Sequence, residues 1–282
     1  MDFTIDPDLT EKYRHLQNYL QSLGSLAVAF SGGVDSTFLL KTAHQALGDK
    51  VVAITAHSPC FPLRELTEAQ EFCRKENIRH LIFASRELDN EEFRANPPNR
   101  CYICKKELLG KIIQLSQELG LSEVGEGSNP DDNRDYRPGR QAVAELGVKS
   151  PLSEAGLSKE EIRLLSRSLG LPTWEKPSCA CLASRFPYGE KISTERLAMV
   201  DQAEQLLLDI GLTQVRVRFH CNLARIECDQ SGFALLANES LRKEIYRKFQ
   251  EIGFTYIALD LLGYRTGSLN EQLNGKELGV KS

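Results

Sequence analysis

A doubly wound α/β domain followed by a smaller α+β domain is the architecture this sequence predicts, and three features carry that reading. Short apolar runs alternate with helical patterns through the first half of the chain. A glycine turn, Ser31-Gly-Gly-Val-Asp-Ser36, joins the first apolar run to the first helical pattern. Near Pro172 the texture changes to a stretch rich in Pro, Cys and small residues, LPTWEKPSCACLASRFPYGEK, with no period, which reads as an ordered loop and a domain junction. We therefore expect domains at 1–172 and 173–282.

Taken in order, residues 8–23 place Leu9, Tyr13, Leu16 and Leu20 at helical spacing and predict an entry helix. The runs Leu26 to Phe30, Val51 to Ala56 and Leu81 to Ala84 are short, apolar and β-rich, with helical patterns at about 35–47 and 65–77 between them. Strand–helix alternation requires crossovers, hence a parallel sheet covered on both faces. A helix at about 105–119, a strand Glu123 to Gly125 and a helix at about 158–169 continue that domain. Beyond the junction we expect a helix at about 193–210, strands at 214–220 and 223–228, a helix at about 239–252 and a strand at 255–261.

Composition narrows the function. The chain has 282 residues, 41% of them apolar and 7% aromatic, enough to build a core and to exclude disorder. No apolar run approaches the ~20 residues needed to span a bilayer, and the first residues are acidic, so we expect a cytoplasmic protein. Thirty-five basic residues against 39 acidic ones give a net charge of −4, which argues against a nucleic-acid partner. Eight cysteines in a reducing compartment point to metal or redox chemistry before disulfides.

The glycine turn has the chemistry of a polyphosphate cradle. Gly32 and Gly33 let backbone N–H groups turn onto an anion, the hydroxyls of Ser31, Ser36 and Thr37 add donors, and the following helix supplies its positive end. The lysine of γ-phosphate-transferring loops is missing; Asp35 stands there instead and suits Mg²⁺ riding on pyrophosphate. The string S-G-G-V-D-S resembles the PP-loop of the N-type ATP pyrophosphatases, which implies ATP cleaved between its α and β phosphates and a substrate oxygen adenylated. Ser58, past the second strand, and Gly127, in Gly125-Glu-Gly-Ser-Asn129 past another, then fall where the sheet's carboxyl edge would meet the nucleotide.

Cys101-Tyr-Ile-Cys104 and Cys179-Ala-Cys181 are the closely spaced cysteine pairs. On spacing alone a four-thiolate zinc site and a [4Fe–4S] cluster on three cysteines rank equally, with a redox dithiol at C-x-x-C as a third reading. Cys60, Cys73, Cys221 and Cys228 read as core or incidental.

Six strings across the chain, S-G-G-V-D-S, N-R-C-Y-I-C-K-K, D-Y-R-P-G, A-C-L-A-S-R-F-P-Y-G, R-V-R-F-H and L-D-L-L-G-Y-R-T-G, together resemble the LarE family, ATP-dependent pyridinium-3,5-bisthiocarboxylic acid mononucleotide synthases that make part of the nickel-pincer nucleotide cofactor. Some members sacrifice the sulfur of one cysteine. Others hold a [4Fe–4S] cluster on three cysteines and pass on an extra sulfide. With Cys101, Cys104 and Cys181 this chain resembles the second style, Cys179 being the alternative third ligand. The resemblance further implies a small mononucleotide substrate, a sulfide donor, a homo-oligomer and a cofactor contact at Arg185.

If Cys221-Asn222 is a two-residue hairpin turn, 216 faces 227, 218 faces 225 and 220 faces 223. Val215, Val217, Phe219, Ala224 and Ile226 then share the buried face, while Arg216, Arg218, His220, Arg225 and Glu227 share the other. Two arginines with no acid opposite them suggest an anion site for a phosphate or carboxylate, a solvated sheet face being the competing reading, with Arg265 as a further candidate. Competing functions are a PP-loop tRNA thiolase, against which the acidic balance weighs, a zinc-stabilised amidotransferase-type ligase, and a nucleotide-sensing module without turnover.

Overall fold

The computed structural model describes residues 6–134, 138–177, 180–265 and 267–272. They form two compact units. The first comprises Met1–Ser58, Leu63–Arg86 and Asn99–Cys179; the second comprises Pro59–Pro62, Glu87–Pro98 and Ala180–Ser282. The second unit is thus assembled from three stretches of chain.

In chain order the elements are α1 (Pro7–Ser22), β1 (Leu26–Ala29), α2 (Val34–Leu47), β2 (Val51–His57), α3 (Leu63–Lys75), β3 (Arg79–Ala84), α4 (Glu91–Arg94), α5 (Arg100–Glu118), β4 (Glu123–Gly125), α6 (Gly139–Glu145), α7 (Pro151–Glu154), α8 (Lys159–Ser168), α9 (Thr194–Asp209), β5 (Val215–His220), β6 (Leu223–Cys228), α10 (Gln230–Leu236), α11 (Glu239–Ile252) and β7 (Tyr256–Leu259). All of them up to α8 belong to the first unit except α4, which lies in the Glu87–Pro98 stretch.

The first unit is built on a parallel four-stranded sheet in the order β3-β2-β1-β4. Pleating sends Leu26 and Val28 of β1 to one face, where they pack with Leu16 and Leu20 of α1, Phe38 and Leu39 of α2 and Ile162 of α8. Ala27 goes to the other face with Leu109 and Ile112 of α5 and Val143 of α6. Both faces are therefore dry, which is why the strand sequence LAVA contains no polar residue. Each fully buried leucine in these layers is worth about 1.5–3 kcal/mol of transfer free energy. Because β2 and β4 flank β1 on opposite sides, the strand order reverses at β1, and the carboxyl ends of β1 and β4 open the crevice where such sheets bind ligands.

The second unit carries a three-stranded sheet, β5-β6-β7, with β5 and β6 antiparallel and β7 parallel to β6. Its hairpin has the expected register: Arg216 faces Glu227, Arg218 faces Arg225 and His220 faces Leu223. Cys221 and Asn222 both take positive φ, 46° and 71°, as a two-residue turn of this twist requires. Phe219 sits between Phe186 and Phe254, with ring centroids 5.2 and 5.8 Å away. Among the described residues no helix is long and apolar enough to cross a membrane.

Two expectations need correction. Helix α5 begins at Arg100 rather than near 105, since Asn99 starts the helical hydrogen bonding by accepting from the Tyr102 N–H at 2.9 Å, so Cys101 and Cys104 are helical. Helices α6 and α10 were absent from the periodicity reading because seven residues each are too few to show a period.

Candidate active site

The loop after β1 is held open by its own side chains. Ser31 Oγ lies 3.0 Å from Ser36 Oγ, and Ser36 donates to the Gly33 carbonyl at 3.2 Å. Gly33 caps α2 without a side chain, so the first-turn amides of that helix carry no side-chain acceptor, an anion-seeking arrangement. Gly32 has φ +73°, and a Cβ there would meet the Glu65 carbonyl oxygen at 3.3 Å. Lys176 bonds the Gly32 carbonyl at 3.2 Å and pairs with Glu65 at 2.8 Å, tying residues 171–176 to this loop. Arg163 reinforces the tie by donating to the carbonyls of Trp174 and Lys176.

The loop after β4 closes on the loop after β1. At Gly127 an added Cβ would stand 3.0 Å from the Ser36 backbone nitrogen and 3.2 Å from the Asp35 carbonyl carbon, so only glycine permits this approach. Asn129 reaches Asp35 Oδ1 at 3.4 Å, and Lys159 pairs with Asp35 Oδ2. Burial raises the Asp35 carboxyl above its ordinary value; the Lys159 charge only partly offsets this. An ammonium already sits on that carboxylate, so the donor chemistry fits a cation such as Mg²⁺. Next to it, Glu126 is buried and accepts from Lys105 at 2.8 Å, Ser128 at 2.8 Å and Ser150 at 2.7 Å. Burial would raise its carboxyl, yet these charged and polar partners hold it below the ordinary range. Ser58 is buried just past β2.

Of the sequence candidates, Ser31, Gly32, Gly33, Asp35, Ser36 and Gly127 come together here. Lys159 and Glu126 were missed. A signal for Lys159 existed: a cation at the first position of a helix opposes the dipole and needs another reason to be there.

Cys101 and Cys104 lie on the first turn of α5 at i, i+3, the first exposed and the second partly so. Cys181 is partly exposed and its Sγ accepts the Ala183 N–H at 3.3 Å at the head of a short 3₁₀ turn in the second unit. These thiols are unbridged, and their type and exposure suit thiolate–metal chemistry. Cys60, Cys73 and Cys228 are buried, and burial pushes the Cys73 thiol up to about 12. Cys179 and residues 135–137 of the D-Y-R-P-G string lie outside the described residues. Among the described residues no three His, Cys, Asp or Glu side chains are gathered as a metal site.

In the second unit the arginine face is real but differently paired. Arg218 was expected to have no acid; it is only 7% exposed and bonds Glu227 at 2.9 Å, the Ser184 carbonyl at 2.7 Å and Ser268 Oγ at 2.8 Å. Arg225 pairs with Glu227 at 3.1 Å and with Asp260, an acid delivered by the end of β7 that hairpin geometry alone cannot show. Arg216 stacks over Tyr264 at 5.3 Å and donates to the Val215 carbonyl at 2.7 Å. Arg265 pairs with Asp260 at 3.4 Å and Glu271 at 3.2 Å. Arg185 is fully buried and donates to Glu204 and to the carbonyls of Ala180 and Cys181, which ties the cysteine segment to α9.

A parallel sheet that delivers S-G-G-V-D-S to its topological switch point defines an ATP-using enzyme of the PP-loop class. In agreement, argininosuccinate synthase of Natronomonas pharaonis is 28% identical over 160 residues, 52% of this chain and 39% of that protein. Over nearly the whole length the chain is 45% identical to an uncharacterised protein of Synechocystis sp. (94% of this chain, 99% of that one). It is 35% identical to pyridinium-3,5-bisthiocarboxylic acid mononucleotide synthase of Lactiplantibacillus plantarum (96% of this chain, 98% of that one). No protein-family model matches the chain. The chain belongs to the LarE family of ATP-dependent synthases.

Proposed function

We propose that this protein is a cytoplasmic ATP-dependent sulfur transferase that adenylates the carboxylates of pyridinium-3,5-biscarboxylic acid mononucleotide and replaces AMP with sulfide, for nickel-pincer cofactor synthesis. The observation that carries this reading is the match to the synthase over nearly all of both chains, together with a PP-loop whose Asp35 stands where kinase-type loops have lysine. The α2 amides and the hydroxyls of Ser31 and Ser36 orient the triphosphate, and Asp35 would hold Mg²⁺ on the pyrophosphate moiety. A substrate carboxylate oxygen attacks the α-phosphorus, the bond to the bridging oxygen breaks, and pyrophosphate leaves with that electron pair. Sulfide then attacks the acyl carbon, AMP departs, and a thiocarboxylate remains; a second round treats the other carboxylate. Arg216, Arg218 and Arg265, with Glu227 setting the arginines' positions, would receive the substrate's phosphate and carboxylates.

Cys101, Cys104 and Cys181 would hold a [4Fe–4S] cluster, with Cys179 as the alternative third ligand. Bound there, the cluster supplies one iron without a protein ligand as a place for exogenous sulfide. The same reading has the chain work as a homo-oligomer. Anaerobically prepared protein given ATP, sulfide and the biscarboxylate should release AMP and pyrophosphate and yield product with oxygen exchanged for sulfur; ADP and inorganic phosphate as the main products would overturn it.

A further inference from the structure

Lys159 opens helix α8 at the end where the dipole disfavours a cation. Its ammonium nevertheless pairs with Asp35, 124 residues away, and the two side chains are only 30% and 22% exposed. The main chain of Lys159 is anchored separately: its N–H donates to Asp131 Oδ2 at 2.8 Å, and the Asp131 N–H donates to Asn129 Oδ1 at 3.0 Å. Asn129 in turn reaches the other oxygen of Asp35. A fixed backbone with a long flexible arm is suited to moving a charge over a short distance without moving the helix.

One carboxylate therefore has two cations with a claim on it. A magnesium ion taken by Asp35 would place a double positive charge beside the Lys159 ammonium and drive it off. The largest anion within reach of the released arm would be the triphosphate on the α2 amides, 31–36 being the loop that carries Asp35. Negative charge gathers on the bridging oxygen as the α-phosphorus bond breaks, and an ammonium there stabilises that charge where it develops.

We propose that Lys159 is a nucleotide-binding catalytic residue, held on Asp35 until magnesium takes that carboxylate and then turned onto the departing pyrophosphate. This rests on the chain's use of ATP at the PP-loop. The test is equilibrium binding of ATP to the intact protein, first in EDTA and then with rising magnesium, for wild type, Lys159→Met and Lys159→Arg. In the Met variant ATP binding at saturating magnesium should weaken about tenfold or more, because the charge-assisted contact made by the released ammonium is lost. The magnesium concentration that half-saturates binding should fall several-fold, because no ammonium competes for Asp35. Arginine should restore binding at saturating magnesium. A Met variant with wild-type melting temperature and both constants unchanged would overturn the proposal and leave the pair as a tie between α8 and α2. Wild-type protein that binds no ATP at saturating magnesium would instead overturn the nucleotide reading and this inference with it. If the Met variant folds poorly, wild type carries the test: magnesium and ATP together should change Lys159 acylation by an amine-reactive reagent, mapped by peptide mass, and unchanged labelling would overturn the proposal.

Discussion

Arg185 and Glu204 meet at two points, Nε to Oε1 at 2.8 Å and Nη2 to Oε2 at 2.9 Å, with the side chains 0% and 1% exposed. The same Glu204 accepts the Val217 N–H at 2.9 Å, so one carboxylate joins α9, strand β5 and the segment that begins at Cys181. Burial would raise this carboxyl; the Arg185 charge and bonds outweigh it and hold it below its usual 4.5.

Because its folded value is depressed, Glu204 contributes stability that is present above the unfolded value and lost as pH falls through the folded one. Glu204→Gln should leave the arginine charge buried and unpaired, costing about 3–5 kcal/mol at neutral pH, and should flatten the loss of stability below about pH 4. Urea unfolding at several pH values checks both parts; an unchanged acid slope would contradict the assignment.

Gly127→Ala should weaken ATP binding while sparing most of the fold. The new methyl meets backbone at Ser36 and Asp35, so the two loops must separate, at a cost of about 1–3 kcal/mol in local packing. Titration with ATP against a melting curve separates the two effects.

Replacing Cys101, Cys104 or Cys181 by Ala should abolish iron loading and sulfur transfer while adenylation continues, since none of the three belongs to the phosphate loop. Cys179→Ala should be mild if Cys181 is the third ligand. With sulfide supplied, wild type should turn over repeatedly; one sulfur per chain, with a chain lighter by H₂S, would point to a sacrificial cysteine. Metal and sulfide counts after anaerobic purification decide, and zinc without iron would sink the cluster.

Arg216 and Arg218 should separate in their stability effects. Arg216→Met removes a partly buried arginine stacked on Tyr264, so substrate affinity should fall roughly tenfold with a smaller loss of melting temperature than in Arg218→Met. Arg218→Met should also weaken substrate binding, and it should lower the melting temperature by several degrees, because fully buried Glu227 loses a partner. Calorimetric titration beside thermal melts reads the difference, and unchanged affinity in both variants would return this face to a purely structural role.

The strands, the hairpin register and the phosphate loop were legible because each is written in contiguous residues with a period of two or a fixed turn. Glu123–Gly125 and Leu223–Cys228 have the boundaries read from the sequence. What was not legible comes from partners far apart in sequence. Asp260 on Arg225 depends on where β7 ends, and Lys159 on Asp35 depends on how the β4 loop sets α8. The burial of Arg185 could not be read from S-R-F-P-Y-G, because a buried arginine is recognisable only from its acid, and Glu204 lies in another helix.

The three-part make-up of the second unit gives synthesis an order. Asn96, 0% exposed once folded, leaves the ribosome before Phe186 and Pro187, whose carbonyls its side chain bonds. Asn96 waits for the carbonyls of Phe186 and Pro187, and the Cys60 carbonyl waits for the Leu182 N–H. At about 5–20 residues per second that wait is roughly 5–20 s, during which these hydrogen bonds stay unmade. The same arrangement means that no single cut separates the two units: a fragment that starts at Ala180 lacks two of the three stretches of the second unit.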